Sequence, residues 1–294
     1  MCAAAVSIAY ACSAAPPAST PVGASSDASQ SGAAPEPLST DIDIGGYSLH
    51  IECSGSGSPT VVFISGFGDD HTIWYQQEPK VAVETRECAY DRAGLGQSEP
   101  GPGNTFTSAD AARDLSGLLD GAGIGGPLVL VGHSFGGEVA LEFAAMHPEL
   151  VGGVVLVDSP SEATWHGPFG EWLAKQDLGT EGGRRPETSD DEAAVQSPGA
   201  LGSKPLVVLT HGEIQFPARL EPLWLRFQAG LAKTSSDAVH VIATSAGHYI
   251  HTEQPALVVE AIRQVVAAVQ SGSSLSPCGE AFIDLGGQCV TSSA

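Results

Sequence analysis

Short apolar runs alternate with amphipathic stretches from about residue 41 onward, and this alternation predicts the elements of an α/β fold. The predicted strands cover residues 41–44, 47–53, 60–64, 87–90, 128–132, 151–157, 206–210 and 239–244. The predicted helices cover 109–119, 136–146, 220–231 and 256–269. Strands that alternate with helices are typical of a mostly parallel sheet with helices on both faces. We therefore predict one α/β domain over residues 41–272, with an eight-stranded sheet.

An insertion of residues 159–204 interrupts this alternation after the sixth predicted strand. It carries Trp165, Phe169, Trp172 and Leu173, which are followed by an acidic, glycine-rich run. An aromatic segment joined to a flexible one is typical of a lid over a binding site. We expect the insertion to cover a pocket for an apolar ligand; the alternative is that its aromatic side chains seal the core.

The charge balance narrows the classes of partner. The chain has 34 acidic and 12 basic residues, which gives a formal net charge of -22. A surface of this sign repels phosphate backbones, so we expect no nucleic-acid partner and interpret the acidity as a solvated surface. Hydrophobic residues make up 42% of the chain, enough for a large core. No apolar run approaches the roughly 20 residues of a membrane span.

The first 40 residues differ in composition from the rest. They open with the small, apolar sequence MCAAAVSIAYAC and continue as a stretch rich in serine, alanine and proline. This pattern predicts a signal-like or lipoprotein-like segment followed by a disordered tether. The sequence YAC at residues 10–12 resembles a bacterial lipobox, in which the cysteine is acylated. The alternatives are a lipid anchor at Cys12, a plain secretory signal and a structureless tail; the first two predict a protein secreted from a bacterial cell or anchored on the outer face of its envelope.

The run LVLVGHSFGG, residues 128–137, contains the pattern G-x-S-x-G between a predicted strand and a predicted helix. A sharp turn from strand to helix holds the central residue in a strained conformation, and it requires small residues on either side. The pattern therefore makes Ser134 a candidate nucleophile, exposed above the sheet at a helix N-terminus. The alternative is that Ser134 only caps the helix.

A serine nucleophile needs a histidine base and a carboxylate that orients the base. Of nine histidines, His248 follows the last predicted strand and so lies at the carboxyl edge of the sheet, as Ser134 does. His211 ends the seventh strand at the same edge and is the competitor. For the acid we favour Asp158, which ends the sixth strand, and Glu213 is the alternative.

Two further motifs accompany this set. FISGFG, residues 63–68, follows the third predicted strand, and YDRAGLGQS, residues 90–98, follows the fourth. We interpret Asp91 and Arg92 as a buried ion pair that fixes the turn after the fourth strand. Together with the G-x-S-x-G turn at Ser134, the nucleophile elbow, and with the Gly247-His248 pair, these motifs resemble the α/β-hydrolase superfamily, in particular exported bacterial serine esterases and lipases, over residues 41–269.

The resemblance has consequences for the site and for the cysteines. It implies an oxyanion hole built from the backbone N–H groups of Phe67 and Phe135. It also implies the strand order 1-2-4-3-5-6-7-8, which makes the second and fourth strands antiparallel neighbours. The disulfides implied are then Cys53–Cys88 and Cys278–Cys289, the second closing a C-terminal loop over residues 273–294. The alternative is a cytosolic enzyme with reduced core thiols.

The function implied is hydrolysis of a carboxylic ester, or a related acyl bond, of a small apolar substrate. The catalytic residues would be Ser134, His248 and Asp158, acting through an acyl-enzyme intermediate with no cofactor and no metal. One alternative is a cofactor-free haloperoxidase or a small-peptide or amide hydrolase with the same triad. The other is a non-catalytic binding protein that kept the fold. A serine at the elbow disfavours dehalogenases and epoxide hydrolases of this superfamily, which use an aspartate there.

Overall fold

The computed structural model describes residues 37–188 and 192–290, and a sheet of nine strands runs through this part of the chain. In chain order the strands are β1 (Leu38–Asp43), β2 (Ser48–Ser54), β3 (Thr60–Ile64), β4 (Glu87–Tyr90), β5 (Thr105–Phe106), β6 (Leu128–His133), β7 (Val151–Val157), β8 (Arg185–Pro186), β9 (Leu206–His211), β10 (Ala238–Ala243) and β11 (Gly287–Cys289). The order in the sheet is β1-β2-β4-β3-β6-β7-β9-β10-β11, and β5 and β8 form a separate pair. The strands from β4 to β10 run parallel, whereas β1, β2 and β11 pair antiparallel. The mostly parallel α/β sheet is confirmed.

Helices cover both faces of this sheet. They are α1 (Glu78–Val81), α2 (Ser108–Gly121), α3 (Phe135–Met146), α4 (Gly167–Leu173), α5 (Glu192–Val195), α6 (Glu221–Leu231), α7 (Ile250–Glu253), α8 (Pro255–Ser271) and α9 (Glu280–Ile283). Because side chains alternate along a strand, β3 sends Val62 and Ile64 to the core under α2 and α3, and Val61 and Phe63 to the core under α8. The continuous apolar runs of the central strands follow from this burial on both faces.

The prediction of eight strands, with residues 273–294 as a loop, was wrong at the C-terminal end. Residues Gly287–Cys289 form a ninth strand that pairs antiparallel with residues Val241 to Ala243 of β10. The short helix α9 precedes this strand, and its Phe282 is fully buried in the core under α8. A three-residue strand carries no periodic signal of its own. Its formation depends on the neighbouring strand and on this one buried ring.

Two disulfides connect the pairs that the resemblance implied. Cys53 and Cys88 lie directly opposite each other on β2 and β4, with their Cα atoms 4.0 Å apart. Cys278 and Cys289 join the segment before α9 to β11, with their Cα atoms 5.7 Å apart. Of the expected signal-like segment and tether, residues 1–40, the first 36 residues with Cys12 lie outside the described residues, whereas Leu38 and the two residues after it belong to β1 and not to a tether. Among the residues described, no helix has the length and apolarity required to cross a membrane.

The insertion between β7 and β9 is partly helical and is attached to the domain at several points. The aromatic ring of Phe169 on α4 packs in a small buried cluster with Leu220 and Trp224. Farther along, β8 pairs with β5. The glycine-rich run was expected to be flexible, yet Glu181 and Arg184 within it are buried against the domain. This difference arises from contacts with residues far away in sequence.

Candidate active site

Ser134 lies in a strained turn between β6 and α3. Its backbone has φ 50° and ψ -127°, a region that residues other than glycine seldom adopt. A Cβ atom added at Gly132 would lie 2.4 Å from the carbonyl oxygen of Gly136, and one added at Gly136 would lie 2.1 Å from that of Ile64. The turn therefore tolerates only glycine on either side of Ser134, as the G-x-S-x-G pattern predicts.

Ser134 opens into a cavity of about 440 Å³ that is also lined by His248. Seven of the fifteen lining residues are phenylalanine, tryptophan or tyrosine, and among the described residues no aspartate, glutamate, lysine or arginine lines the cavity. The insertion supplies part of this wall through Trp165, Phe169 and Leu173. The cavity therefore favours a neutral, apolar ligand held beside the Ser134 hydroxyl.

His248, in the loop between β10 and α7, is oriented by a buried carboxylate. Its Nδ1 lies 2.7 Å from Oδ2 of Asp158, which follows β7 and is fully buried. Burial by itself would raise the pKa of Asp158, but hydrogen bonds from His211 and His248 outweigh burial and hold that pKa well below its ordinary value. The ionised Asp158 accepts a hydrogen bond from Nδ1–H of His248, so a neutral His248 ring keeps Nε2 as its acceptor.

The two candidate groups share the cavity without a hydrogen bond between them. In the described part of the chain no hydrogen bond joins the Ser134 hydroxyl to the His248 ring, although both side chains line the same space. Bonds of this kind are often long before substrate binds and tighten in the complex. The arrangement brings together the predicted nucleophile and base at the carboxyl edge of the sheet.

The two candidate acids are placed differently. Asp158 contacts His248, whereas Glu213 is exposed to solvent two residues after the end of β9. The backbone N–H of Glu213 bonds to the carbonyl of Ala246, and its carboxylate has no hydrogen bond among the described residues. Asp158 reaches the His248 ring because it directly follows the last residue of β7, at the carboxyl edge of the sheet. Its backbone there has φ 47°.

Sequence reasoning missed the other groups that hold Asp158. The indole Nε1 of Trp224 donates to Asp158 Oδ1 at 2.9 Å, and the backbone N–H of His211 donates to the same oxygen at 3.1 Å. The ring of His211 is also bonded to Asp158, and it reaches Glu221 on its other side. His211, the competitor for the role of base, does not line the cavity. The sequence signal for the position of His211 was the change from apolar to polar residues at the end of β9.

The expected oxyanion donors flank Ser134. Phe135 begins α3 directly after Ser134, and Phe67 lies in the loop after β3. Both rings line the cavity and pack edge to face, with their centroids 6.4 Å apart. In the described residues no backbone carbonyl accepts a bond from the N–H of Phe67, so this donor is available to a ligand.

The expected pair of Asp91 and Arg92 does not form. Asp91 instead accepts bonds from the backbone and from the ring of His71, with the ring Nδ1 2.8 Å away. Adjacent residues of an extended chain point in opposite directions, which separates the two side chains. Asp70, His71 and Asp91 are spaced closely enough for a metal ion, but bonds among themselves and to the adjacent helical turn already account for their positions.

Arg92 connects the loop after β3, which carries Phe67, to the insertion. Its guanidinium donates Nε to Glu181 Oε1 at 2.8 Å and Nη2 to Glu181 Oε2 at 2.7 Å. The same guanidinium donates to the carbonyls of Ser65 and Gly66. Glu181 also accepts the N–H of Gly68 at 2.9 Å. Both side chains are buried, so this bidentate pair fixes the loop that carries Phe67.

Comparison with known sequences identifies relatives over most of the domain. The family model described as alpha/beta hydrolase fold matches residues 59–199. The uncharacterized protein YqjL of Bacillus subtilis (strain 168) is 27% identical over 239 residues, which are 79% of this chain and 94% of YqjL. The uncharacterized protein Rv2715 of Mycobacterium tuberculosis (strain ATCC 25618 / H37Rv) is 36% identical over 116 residues, 39% of this chain and 33% of Rv2715. The chain thus spans nearly all of YqjL and a third of Rv2715.

Solved structures with the same architecture include enzymes. A thermophilic esterase from Thermogutta terrifontis is 26% identical, with a TM-score of 0.60, over 79% of this chain and 99% of that one. A naproxen esterase from Bacillus subtilis shares the fold at 20% identity, with a TM-score of 0.58, over 77% of this chain and 90% of that one. The strand order, the elbow and these similarities agree: the chain belongs to the α/β-hydrolase superfamily.

Proposed function

We propose that this protein hydrolyses carboxylic esters, or closely related acyl bonds, of small apolar substrates. The observation that carries the proposal is the arrangement of Ser134 and His248 around one cavity, with the buried Asp158 bonded to the far side of the His248 ring. The family supports hydrolytic chemistry, and the similarity to a thermophilic esterase favours an ester.

The proposed reaction is acyl transfer to water in two steps. The Ser134 Oγ attacks the ester carbonyl carbon while His248 Nε2 takes its proton, and the carbonyl electrons move to the oxygen. The N–H groups of Phe67 and Phe135 stabilise that oxyanion; losing one such donor typically lowers kcat by about 10²- to 10³-fold. The tetrahedral intermediate collapses, and His248 gives its proton to the leaving alcohol. Water then repeats these steps on the acyl-enzyme and releases the acid.

The size and the lining of the cavity support a small, neutral substrate. Its volume of about 440 Å³ lies within the range of small-molecule sites, roughly 300–1,000 Å³. In the described part of the chain the wall has no charged side chain, and such a wall cannot compensate the desolvation of an ionic group. The net charge of -22 adds a repulsive field for anions. We therefore propose a neutral ester with a short acyl chain or an aromatic group.

We also propose that the enzyme works outside the cytoplasm. Two disulfides favour an oxidising compartment, because cytosolic thiols are kept reduced. The composition of residues 1–36 favours an export signal or a lipid anchor at Cys12. Mass spectrometry of the N-terminus of protein expressed in a bacterial host would separate an acylated Cys12 from a cleaved or an intact chain.

The test of the enzymatic proposal is covalent labelling of the full chain with a fluorophosphonate, followed by peptide mapping. We expect the label on Ser134, and we expect it to vanish in Ser134→Ala but not in the control Ser245→Ala, which changes an exposed serine. Turnover of p-nitrophenyl esters from acetate to octanoate, measured beside amino-acid amides, then defines the bond. A folded protein that is neither labelled nor active on any of these substrates would contradict the proposal and favour a binding protein.

A further inference from the structure

A second imidazole shares the carboxylate that orients His248. The Nδ1 atom of His211, at the end of β9, lies 2.8 Å from Asp158 Oδ2, the same oxygen that His248 Nδ1 contacts at 2.7 Å. On the other side of its ring, Nε2 lies 3.0 Å from Oε2 of Glu221 on α6. The side chain of His211 is only 3% exposed. Both ring nitrogens are thus enclosed between carboxylate oxygens.

This enclosure determines the protonation state of the ring, provided that both carboxylates are ionised. Glu221 Oε1 accepts the backbone N–H groups of Gln215 and Phe216 at 2.7 Å and 2.6 Å. Asp158 accepts donors from Trp224 and from the backbone of His211 as well as from the two rings. Carboxylates that accept several N–H bonds are held in the charged form.

A neutral imidazole has one N–H and one acceptor nitrogen, so it would turn a lone pair toward one of the two carboxylates. The imidazolium donates to both. Burial by itself would lower the pKa of His211, but the hydrogen bonds and charges of Asp158 and Glu221 outweigh it and raise that pKa. The other neighbours of the ring are aromatic, since Trp224 stacks at 5.9 Å and Phe216 packs at 5.5 Å, centroid to centroid.

We propose that His211 is a positioning residue held as a buried imidazolium, which fixes the Asp158 carboxylate and offsets part of the negative charge that His248 faces. The inference rests on the proposed function, in which Asp158 orients the base. It also explains why Asp158 has two imidazole partners while only one of them lines the cavity. With His211 charged, the Asp158, His211 and Glu221 cluster has a net charge of about -1 instead of -2.

The first experiment reads the protonation state directly in the unmodified full-length chain. Protein labelled with ¹⁵N-histidine is examined by NMR at pH 7.5, and His211 is assigned by comparison with His211→Gln. We expect both ring nitrogens of His211 to be protonated at this pH, where a free imidazole is about nine-tenths neutral. An unprotonated ring nitrogen on His211 at pH 7.5 would overturn the proposal.

The second experiment measures what the charge does to His248. In His211→Gln a neutral side chain replaces the imidazolium, so His248 faces an uncompensated carboxylate and retains its proton to higher pH. We expect the NMR titration midpoint of His248, and the acid limb of kcat/KM, to move up by about one pH unit with KM little changed. The control His147→Gln changes a surface histidine paired with Glu149 at 3.9 Å and should move neither.

A purely structural His211 would lower the melting temperature without moving the titration of His248, and an unmoved or lowered midpoint in folded His211→Gln contradicts the proposal. If that variant fails to fold, Glu221→Gln replaces it, because the Glu221 side chain is partly exposed. There we expect His211 to lose its second ring proton by pH 7.5, and its retention would contradict the role of Glu221. The NMR titration requires no turnover, so it remains readable even if no ester proves to be a substrate.

Discussion

Replacing Asp158 by asparagine should separate the two candidate acids. The substituted side chain keeps one oxygen, which can still accept from Trp224 Nε1 and the backbone N–H of His211, as Oδ1 does now. At the other position an NH₂ group replaces Oδ2, which lies 2.7 Å from His248 Nδ1. Two donors then face each other. The His248 ring relieves this conflict by moving its proton to Nε2, the nitrogen that must accept the proton of Ser134.

The expected loss follows from that change of tautomer. In a serine protease triad, substituting the aspartate by asparagine lowers kcat about 10⁴-fold, and we expect a loss of this size for Asp158→Asn. It corresponds to about 5.5 kcal/mol of transition-state stabilisation. The matched control is Glu213→Gln, which neutralises an exposed carboxylate and should change kcat less than about twofold and stability by less than about 0.5 kcal/mol.

The assay is the steady-state hydrolysis of a p-nitrophenyl ester, with kcat and KM determined separately and folding checked by circular dichroism. We expect Asp158→Asn to lose kcat with KM nearly unchanged. The reasoning fails if folded Asp158→Asn retains more than about a tenth of the wild-type kcat, or if Glu213→Gln is the variant that becomes inactive.

Three further predictions concern buried ionisable side chains other than Ser134, His248 and Asp158. Glu181→Gln leaves the buried Arg92 without its counter-ion, so we expect the free energy of unfolding, measured in urea, to fall by about 3 kcal/mol and kcat to fall as well. An unchanged free energy of unfolding would contradict a stabilising role for this ion pair. Burial raises the pKa of Glu87 to about 7, so its folded state binds more protons than the unfolded state from about pH 4.5 to 7 and stability falls as pH rises through that window. Glu87→Gln should therefore stabilise the protein by up to about 3 kcal/mol at pH 8 and little at pH 4, and urea unfolding at both pH values checks this. Burial lowers the pKa of His251 to about 4, so the unfolded state binds the extra proton and stability falls as pH drops from about 6.5 to 4; His251→Phe should flatten this part of the stability profile, and an unchanged slope would contradict the assignment.

The features predicted correctly from the sequence are those with a local signal. The apolar runs of β3, β6, β7 and β9 mark strands buried on both faces. The strained turn at Ser134 requires glycine on both sides, and the pattern recorded that requirement. The order of strands and motifs then placed His248 at the correct edge. Each of these predictions uses only the residues close by in the sequence and the parallel arrangement of the strands.

The features missed depend on contacts between distant parts of the chain. Arg92 and Glu181 are 89 residues apart, and nothing near Arg92 indicated that its partner lies in the insertion and not at Asp91. His211 and Asp158 are 53 residues apart, so their bond follows only from the adjacency of β7 and β9. The choice of Asp158 over Glu213 had a local argument, but the contact with His248 is visible only after folding.

The hydrogen bond from Gly68 N–H to Glu181 joins the insertion to the loop that carries Phe67. If residues 181–186 moved away from the domain, Glu181 would lose its bonds to Gly68 and Arg92. The loop that carries Phe67 would then lose these bonds as well. In the proposed reaction Phe67 is one of the two oxyanion donors, so any displacement of Glu181 would also free the loop that positions that donor.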